Sequence, residues 1–138
     1  MYPEHLTAPM AKELTDYGFR GLLNGAEVRE ALDSKEGSAL IIVNSVCGCA
    51  AGGARPAVKL AVESASKKPN NLYTVFAGVN TEATNTAREF MLPYPPSSPC
   101  IALFKDGKLV HFIERHHIEG RSPEVIADNL KTAIEHYC

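Results

Sequence analysis

No apolar run in this sequence approaches the ~20 residues that a bilayer-spanning helix needs, so no such helix is expected. Positive charge is not in excess either. Fourteen Lys and Arg stand against sixteen Asp and Glu, for a formal net charge of −2. That balance carries no polybasic signature for nucleic acid or for an anionic membrane surface. The first residues, Met1-Tyr2-Pro3-Glu4-His5, lack the basic-then-apolar order of an export signal. A cytoplasmic location is therefore expected. Repeats and low-complexity tracts are absent. Cysteine is sparse: four in 138 residues, at positions 47, 49, 100 and 138. A chain of this length can bury a core without staples. With no export signal, its cysteines read as catalytic, metal-binding or buried rather than as a framework of bridges. One domain over 1–138 is expected.

What is present is an alternation of helical and strand patterns. Thr7-Ala8-Pro9 predicts a helix start, with Met10, Leu14 and Tyr17 on one face and Gly18 as the stop. Residues 19–23 suggest a short strand. Asn24, with Glu27 three residues on, predicts a capped helix whose buried face holds Val28 and Leu32 and which ends near Gly37. Ala39-Leu40-Ile41-Ile42-Val43 is apolar throughout and suits a central strand buried on both faces. Helical character runs from Ala54 to Lys67. Gly52, Gly53 and Pro56 leave two starts open: just after Cys47 with a kink near Pro56, or near Ala54 with proline in the first turn. Residues 72–77 predict a second central strand, and Thr81 a cap for a helix carrying Ala83, Ala87 and Phe90. Residues 93–99 are too rich in proline for regular structure. The runs 100–104 and 109–113, joined through Asp106-Gly107, predict a β-hairpin. Ser122-Pro123-Glu124 starts a last helix. The order implies an α/β fold: a mixed central sheet, parallel first and antiparallel after, with helices on both faces.

The chemistry concentrates in Cys47-Gly48-Cys49, directly after the first central strand. Glycine between two thiols allows a small ring to close. A ring so tight suits transient exchange better than permanent cross-linking. Functional groups of open α/β sheets gather at the carboxyl ends of strands. If a helix starts at Cys47, its unpaired N–H groups and positive dipole end favour the thiolate, which is the nucleophile. Cys47, earlier and expected to be more exposed, is the candidate nucleophile, and Cys49 the thiol that resolves a mixed disulfide. Two competing readings are buried inert cysteines and half of a zinc site. The second would need two more ligands; Cys100, His116 and His117 could be recruited, but no second pair has the usual spacing. No metal site is assigned.

Ser98-Pro99 precedes an apolar strand, where a cis bond could turn the chain sharply. Cys100 reads first as a buried strand thiol and second as a modulator of exchange at Cys47. Cys138, the last residue, reads as flexible and incidental. His116 and His117 read as part of a solvated turn. Arg55 reads first as a surface arginine and second as a cation assisting a thiolate or an anionic ligand.

Residues 43–56, Val-Asn-Ser-Val-Cys-Gly-Cys-Ala-Ala-Gly-Gly-Ala-Arg-Pro, closely resemble the active-site segment of the bacilliredoxins. The resemblance extends through Ser98-Pro99-Cys100-Ile101-Ala102-Leu103 and through His111 to His116, and it covers nearly the whole chain. It implies a thioredoxin-like fold, here with an extra N-terminal helix, and Pro99 as a cis-proline facing the active site. It also implies removal of bacillithiol from proteins that carry it as a mixed disulfide. Cys47 would take the bacillithiol, and free bacillithiol or Cys49 would complete the cycle. Disulfide isomerisation is a related activity in that family. On this reading Gly48, Arg55, Ser98 and Pro99 are the substrate-binding candidates. No bound cofactor is expected, bacillithiol is the thiol co-substrate, and the partners are bacillithiolated client proteins. One residue between the cysteines, where thioredoxins have two, argues against carrying over thioredoxin's potential or its reductase.

Overall fold

The computed structural model describes residues 2–33 and 36–138. Its centre is strand β2 (Ser38–Asn44), buried at every position. Side chains alternate across a strand, and here both sides are apolar. Leu40 and Ile42 enter one core layer, while Ala39, Ile41 and Val43 enter the other. The remaining strands are β1 (Arg20–Gly21), β3 (Asn71–Phe76), β4 (Cys100–Lys105) and β5 (Lys108–Ile113), in the spatial order β1-β3-β2-β4-β5. β3 runs parallel to both β1 and β2, and β4 is antiparallel to β2 and β5. The sheet is therefore mixed, as the element order implies.

Helices cover both faces. Helices α1 (Glu4–Thr15), α3 (Arg55–Ser64) and α6 (Pro123–Tyr137) contribute Leu14, Val58, Leu130 and Ile134 to one layer. Helices α2 (Gly25–Leu32) and α4 (Thr81–Glu89) contribute Val28, Leu32, Ala83 and Ala87 to the other. Local signals explain several boundaries. Asn24 Oδ1 accepts the Glu27 N–H at 2.9 Å, and Glu27 Oε1 accepts the Leu23 N–H at 2.8 Å. Ser122 Oγ accepts the Val125 N–H at 3.3 Å. Asp106 and Gly107 both take positive φ, 51° and 79°, the requirement of a tight hairpin turn that matches strand twist.

Some expectations need correction. α1 starts at Glu4, a turn before Thr7, so Pro9 lies inside it. The carbonyl that Pro9 cannot serve belongs to His5, which is exposed to water. α2 ends at Leu32, well short of Gly37. The cap of α4 is Asn80, with Thr81 its first residue. α3 ends at Ser64 because Ala65 turns extended. A four-residue helix α5 (Arg115–Ile118) was not foreseen. Its exposed His116 and His117 agree with the solvated turn expected there. Cys138 is half-buried and packs against the α3–α6 layer rather than hanging free.

Candidate functional site

β2 delivers the chain to the site, and the following helix begins at once. Gly48 and Cys49 are already helical, five residues of π-helix follow at Ala50–Ala54, and α3 continues from Arg55. Of the two starts left open by the sequence, the chain takes the early one. The wide turn has a local cause. A proline ring clashes with the carbonyl four residues earlier and leaves it without a donor. Pro56 would do this to Gly52. The i→i+5 pattern, in which Arg55 N–H reaches the Ala50 carbonyl, relaxes that contact. π-bulges recur at functional sites.

Cys47 stands at the N-terminus of this helix. Its carbonyl accepts the N–H groups of Ala50 at 3.0 Å and Ala51 at 3.2 Å. The first N–H groups of a helix are unpaired, and its dipole is positive at that end. A thiolate there is favoured over the thiol. Cys47 and Cys49 are joined as a disulfide, with Cα atoms 5.4 Å apart. Both are half-buried, and Cys49 packs on the α3–α6 core layer.

A polar group that sequence reasoning assigned no role touches Cys47. The Ser45 hydroxyl donates to Cys47 Sγ at 3.2 Å and lies 3.3 Å from the Cys47 N–H. Ser45 is buried and held in turn. Its N–H donates to Asn44 Oδ1 at 2.9 Å. Arg55 Nη1 donates to the Ser45 carbonyl and to Asn44 Oδ1, both at 2.9 Å, and Arg55 Nε to Glu13 Oε1 at 3.2 Å. The surface reading of Arg55 is wrong: the side chain is 2 % exposed. A guanidinium with its donors spent inside the protein does not line the cleft. It pins the strand end and the start of the helix to α1. The signal available in the sequence was the pair Asn44-Ser45 just before the thiols.

The two sulfurs open on a cavity of about 440 Å³. Its floor is Gly48 and Gly52, where an added Cβ would meet nothing within 4 Å. Gly53 also lines it, but a Cβ there would come within 3.1 Å of Ile118 Cγ2. Its charged lining is Arg115, Glu119 and Arg121, none of them singled out from sequence. Arg115 Nη1 donates to the Ser98 carbonyl at 3.2 Å, and its N–H to Ser97 Oγ at 3.4 Å. This joins the lining to the Ser98-Pro99 loop.

Ser98–Pro99 is cis, as is Leu92–Pro93. The antiparallel register pairs Val43 with Cys100, so Pro99 lies beside the carboxyl end of β2, next to the thiols. Pro99 is buried and Ser98 half-buried. Cys100 is buried, as first read, but among the α2–α4 residues, across the sheet from the layer that holds Cys49. Burial pushes its thiol up to about 12, against weaker lowering by Arg88 and Ser97. Side-chain alternation along β4 thus sets Cys100 in the layer opposite the one that Cys49 packs on. Among the described residues, one group brings three potential metal ligands within 4.8 Å: Glu114, His116 and His117. Glu114 and His117 are tied into the reciprocal cap of α5, and neither Cys47 nor Cys49 belongs to the group.

The family model described as "Disulphide isomerase" matches residues 2–138. A bacilliredoxin of Cytophaga hutchinsonii is 61% identical over 135 residues, 98% of this chain and 98% of that protein. A bacilliredoxin of Salinibacter ruber is 49% identical over 138 residues, 99% of this chain and 81% of that one. Among solved structures, oxidised thioredoxin O2 of Arabidopsis thaliana superposes with a TM-score of 0.61 at 15% identity, covering 86% of this chain and 96% of that one. Mitochondrial thioredoxin 3 of Saccharomyces cerevisiae gives 0.57 at 17% identity, covering 90% and 98%. The fold is thioredoxin-like.

Proposed function

This chain belongs to the bacilliredoxin family, of thiol–disulfide oxidoreductase activity, and on that premise we propose that it removes bacillithiol from client proteins in the cytoplasm. The observation that carries this reading is the placement of Cys47. It sits at a helix N-terminus, under the Ser45 hydroxyl, beside an open glycine-floored cleft. The Cys47 thiolate attacks the bacillithiol sulfur of the mixed disulfide. The client thiolate leaves and takes a proton, and bacillithiol stays on Cys47 as a new mixed disulfide. Cys49 thiolate then attacks Cys47 Sγ and expels bacillithiol, which leaves the Cys47–Cys49 disulfide. Two electrons have passed from the cysteine pair to the mixed disulfide. Two further bacillithiol molecules, acting as the external thiol, regenerate the dithiol: the first opens the Cys47–Cys49 disulfide as a mixed disulfide on one cysteine, and the second displaces it, leaving as oxidised bacillithiol. Gly48, Ser98 and Pro99 form the surface against which the substrate lies.

The test uses a bacillithiolated protein, the wild type, Cys47→Ala and Cys49→Ala, with release followed by mass spectrometry. Wild type releases bacillithiol, Cys47→Ala does not, and Cys49→Ala accumulates bacillithiol on Cys47. Equal release by wild type and Cys47→Ala would sink the assignment. A second reading, disulfide isomerisation, is favoured by the description of the matching family model. Refolding of a scrambled protein, compared with bacillithiol release at matched enzyme concentration, separates the two. Fast refolding with bacillithiol untouched would support isomerisation instead.

A further inference from the structure

The cleft that the two sulfurs line carries two arginines and one glutamate. Their engagements differ. Arg115 is committed: Nε and Nη2 donate to Glu119 Oε2 at 3.3 and 3.2 Å, and Nη1 to the Ser98 carbonyl at 3.2 Å. Arg115 thereby neutralises Glu119, the one acidic side chain on the cleft. Arg121 lines the same cleft and the adjoining one between β5 and α6. Among the described residues no carboxylate or carbonyl accepts from its guanidinium. Among the described residues the cleft therefore presents one uncompensated, always-charged fork, in a lining shared with Gly48 and Gly52, where a Cβ would meet nothing within 4 Å. A planar fork of this kind matches a carboxylate through two parallel hydrogen bonds.

We infer that Arg121 forms an anion subsite which selects small thiols bearing a carboxylate, with Arg115 acting as a positioning residue that keeps Glu119 from repelling them. The inference rests on the reading of Cys47 as the thiolate that takes up the small thiol. The geometry fits that step. When Cys47 attacks the small thiol's sulfur, the client departs and the small molecule remains attached to Cys47, in the volume bounded by Gly52 and Arg121. A bulky client needs no room there, while a small anionic adduct is held within reach of the guanidinium. Expulsion by Cys49 then releases it. No further oxidant or reductant enters beyond the external thiol already named.

The experiment uses the full chain in its dithiol form and one client protein carrying either of two adducts. One adduct is 3-mercaptopropionate, and the other is 3-mercaptopropanol, of similar size and without charge. Release is followed by mass spectrometry, and each rate is divided by that given by free dithiothreitol, which removes intrinsic differences between the adducts. Wild type favours the carboxylate by roughly tenfold in kcat/KM, the scale of one charge-assisted hydrogen bond. The preference appears mainly in KM and fades as salt is raised. Arg121→Gln brings the ratio close to one, Arg121→Lys restores part of it, and Arg20→Gln, a charge removed at the far edge of the sheet, leaves it as in the wild type. Equal handling of the two adducts by wild type overturns the subsite while leaving the exchange reading intact, as does a preference that survives Arg121→Gln. Release of neither adduct overturns the exchange reading and the subsite with it.

Discussion

Ser45 and Cys100 show how two side chains of similar size are given opposite tasks by their surroundings. Ser45 donates to Cys47 Sγ, and a donor to sulfur stabilises the thiolate more than the thiol. Ser45→Ala should therefore lower the thiolate fraction of reduced Cys47 at neutral pH. Attack on a disulfide should slow by roughly three- to tenfold, measured as alkylation rate against pH. An unchanged profile would mean that the helix terminus alone activates the sulfur. Cys100 is the reverse case, a thiol whose apolar surroundings hold the proton on. Its value rises from 9.0 unfolded to about 12 folded. Between those limits the native state binds the proton that the unfolded chain has lost, so stability falls as pH rises. The slope is about 1.4 kcal/mol per pH unit. Cys100→Ala should flatten the alkaline limb of urea-unfolding stability relative to wild type, and below pH 9 the two slopes should coincide.

At the scale of the element, the helix after the thiols has to satisfy three demands. It must start at Cys47, pass Pro56 and leave the cleft open. The π-helical Ala50–Ala54 stretch meets the second, and its glycines meet the third. Gly52 and Gly53 are adjacent but not equivalent. A Cβ at Gly52 meets nothing within 4 Å, whereas one at Gly53 meets Ile118 Cγ2 at 3.1 Å and Ile126 Cδ1 at 3.5 Å. Ile118 is 1 % exposed and cannot move aside freely. Both alanine variants gain the same helix propensity over glycine, so the difference between them isolates the contact. Gly53→Ala should be less stable than Gly52→Ala by about 1–2 kcal/mol in urea. Gly52→Ala should be more stable than wild type by up to about 1 kcal/mol and show its functional effect on release of the small thiol, because the methyl group enters the cleft. Equal stabilities would mean that the α5 turn yields without cost.

For the whole molecule, stability rests on two apolar layers around β2 rather than on the disulfide. The Cys47–Cys49 bond closes the smallest of loops, so it takes little freedom from the unfolded chain. Reduction should leave the fold intact and change unfolding stability by less than about 2 kcal/mol, measured with and without reductant. Loss of the cooperative transition on reduction would contradict this. Such independence suits a protein whose cysteines cycle. Both redox states need the same scaffold, with Arg55, Asn44 and Ser45 in place beneath the sulfurs. Among the described residues no helix is long and apolar enough to cross a membrane, in agreement with the hydropathy of the sequence.

Features set by neighbours in the chain were legible from the sequence. β2 declared itself by a run of apolar residues, α2 and α6 by their caps, the hairpin by Asp106-Gly107, and the close cysteine pair by its place after a buried strand. Each rests on contacts within a few residues, and the family was legible from the segment around the pair. Other features depend on groups far apart in the chain. Arg55 is buried because Glu13, 42 residues away, and the Asn44-Ser45 strand end come to meet its donors; nothing local distinguishes it from a surface arginine. Cys100 is removed from the thiols by which face of β4 it occupies, and that is fixed by the register with β2. Arg115 and Arg121 line the cleft beside Cys47 and Cys49 although they are more than sixty residues away in the chain. The sequence by itself determined the layered α/β scaffold and the two thiols at its switch from strand to helix. Tertiary structure decided which charges are spent inside, which one remains free in the cleft, and so what the thiols can meet.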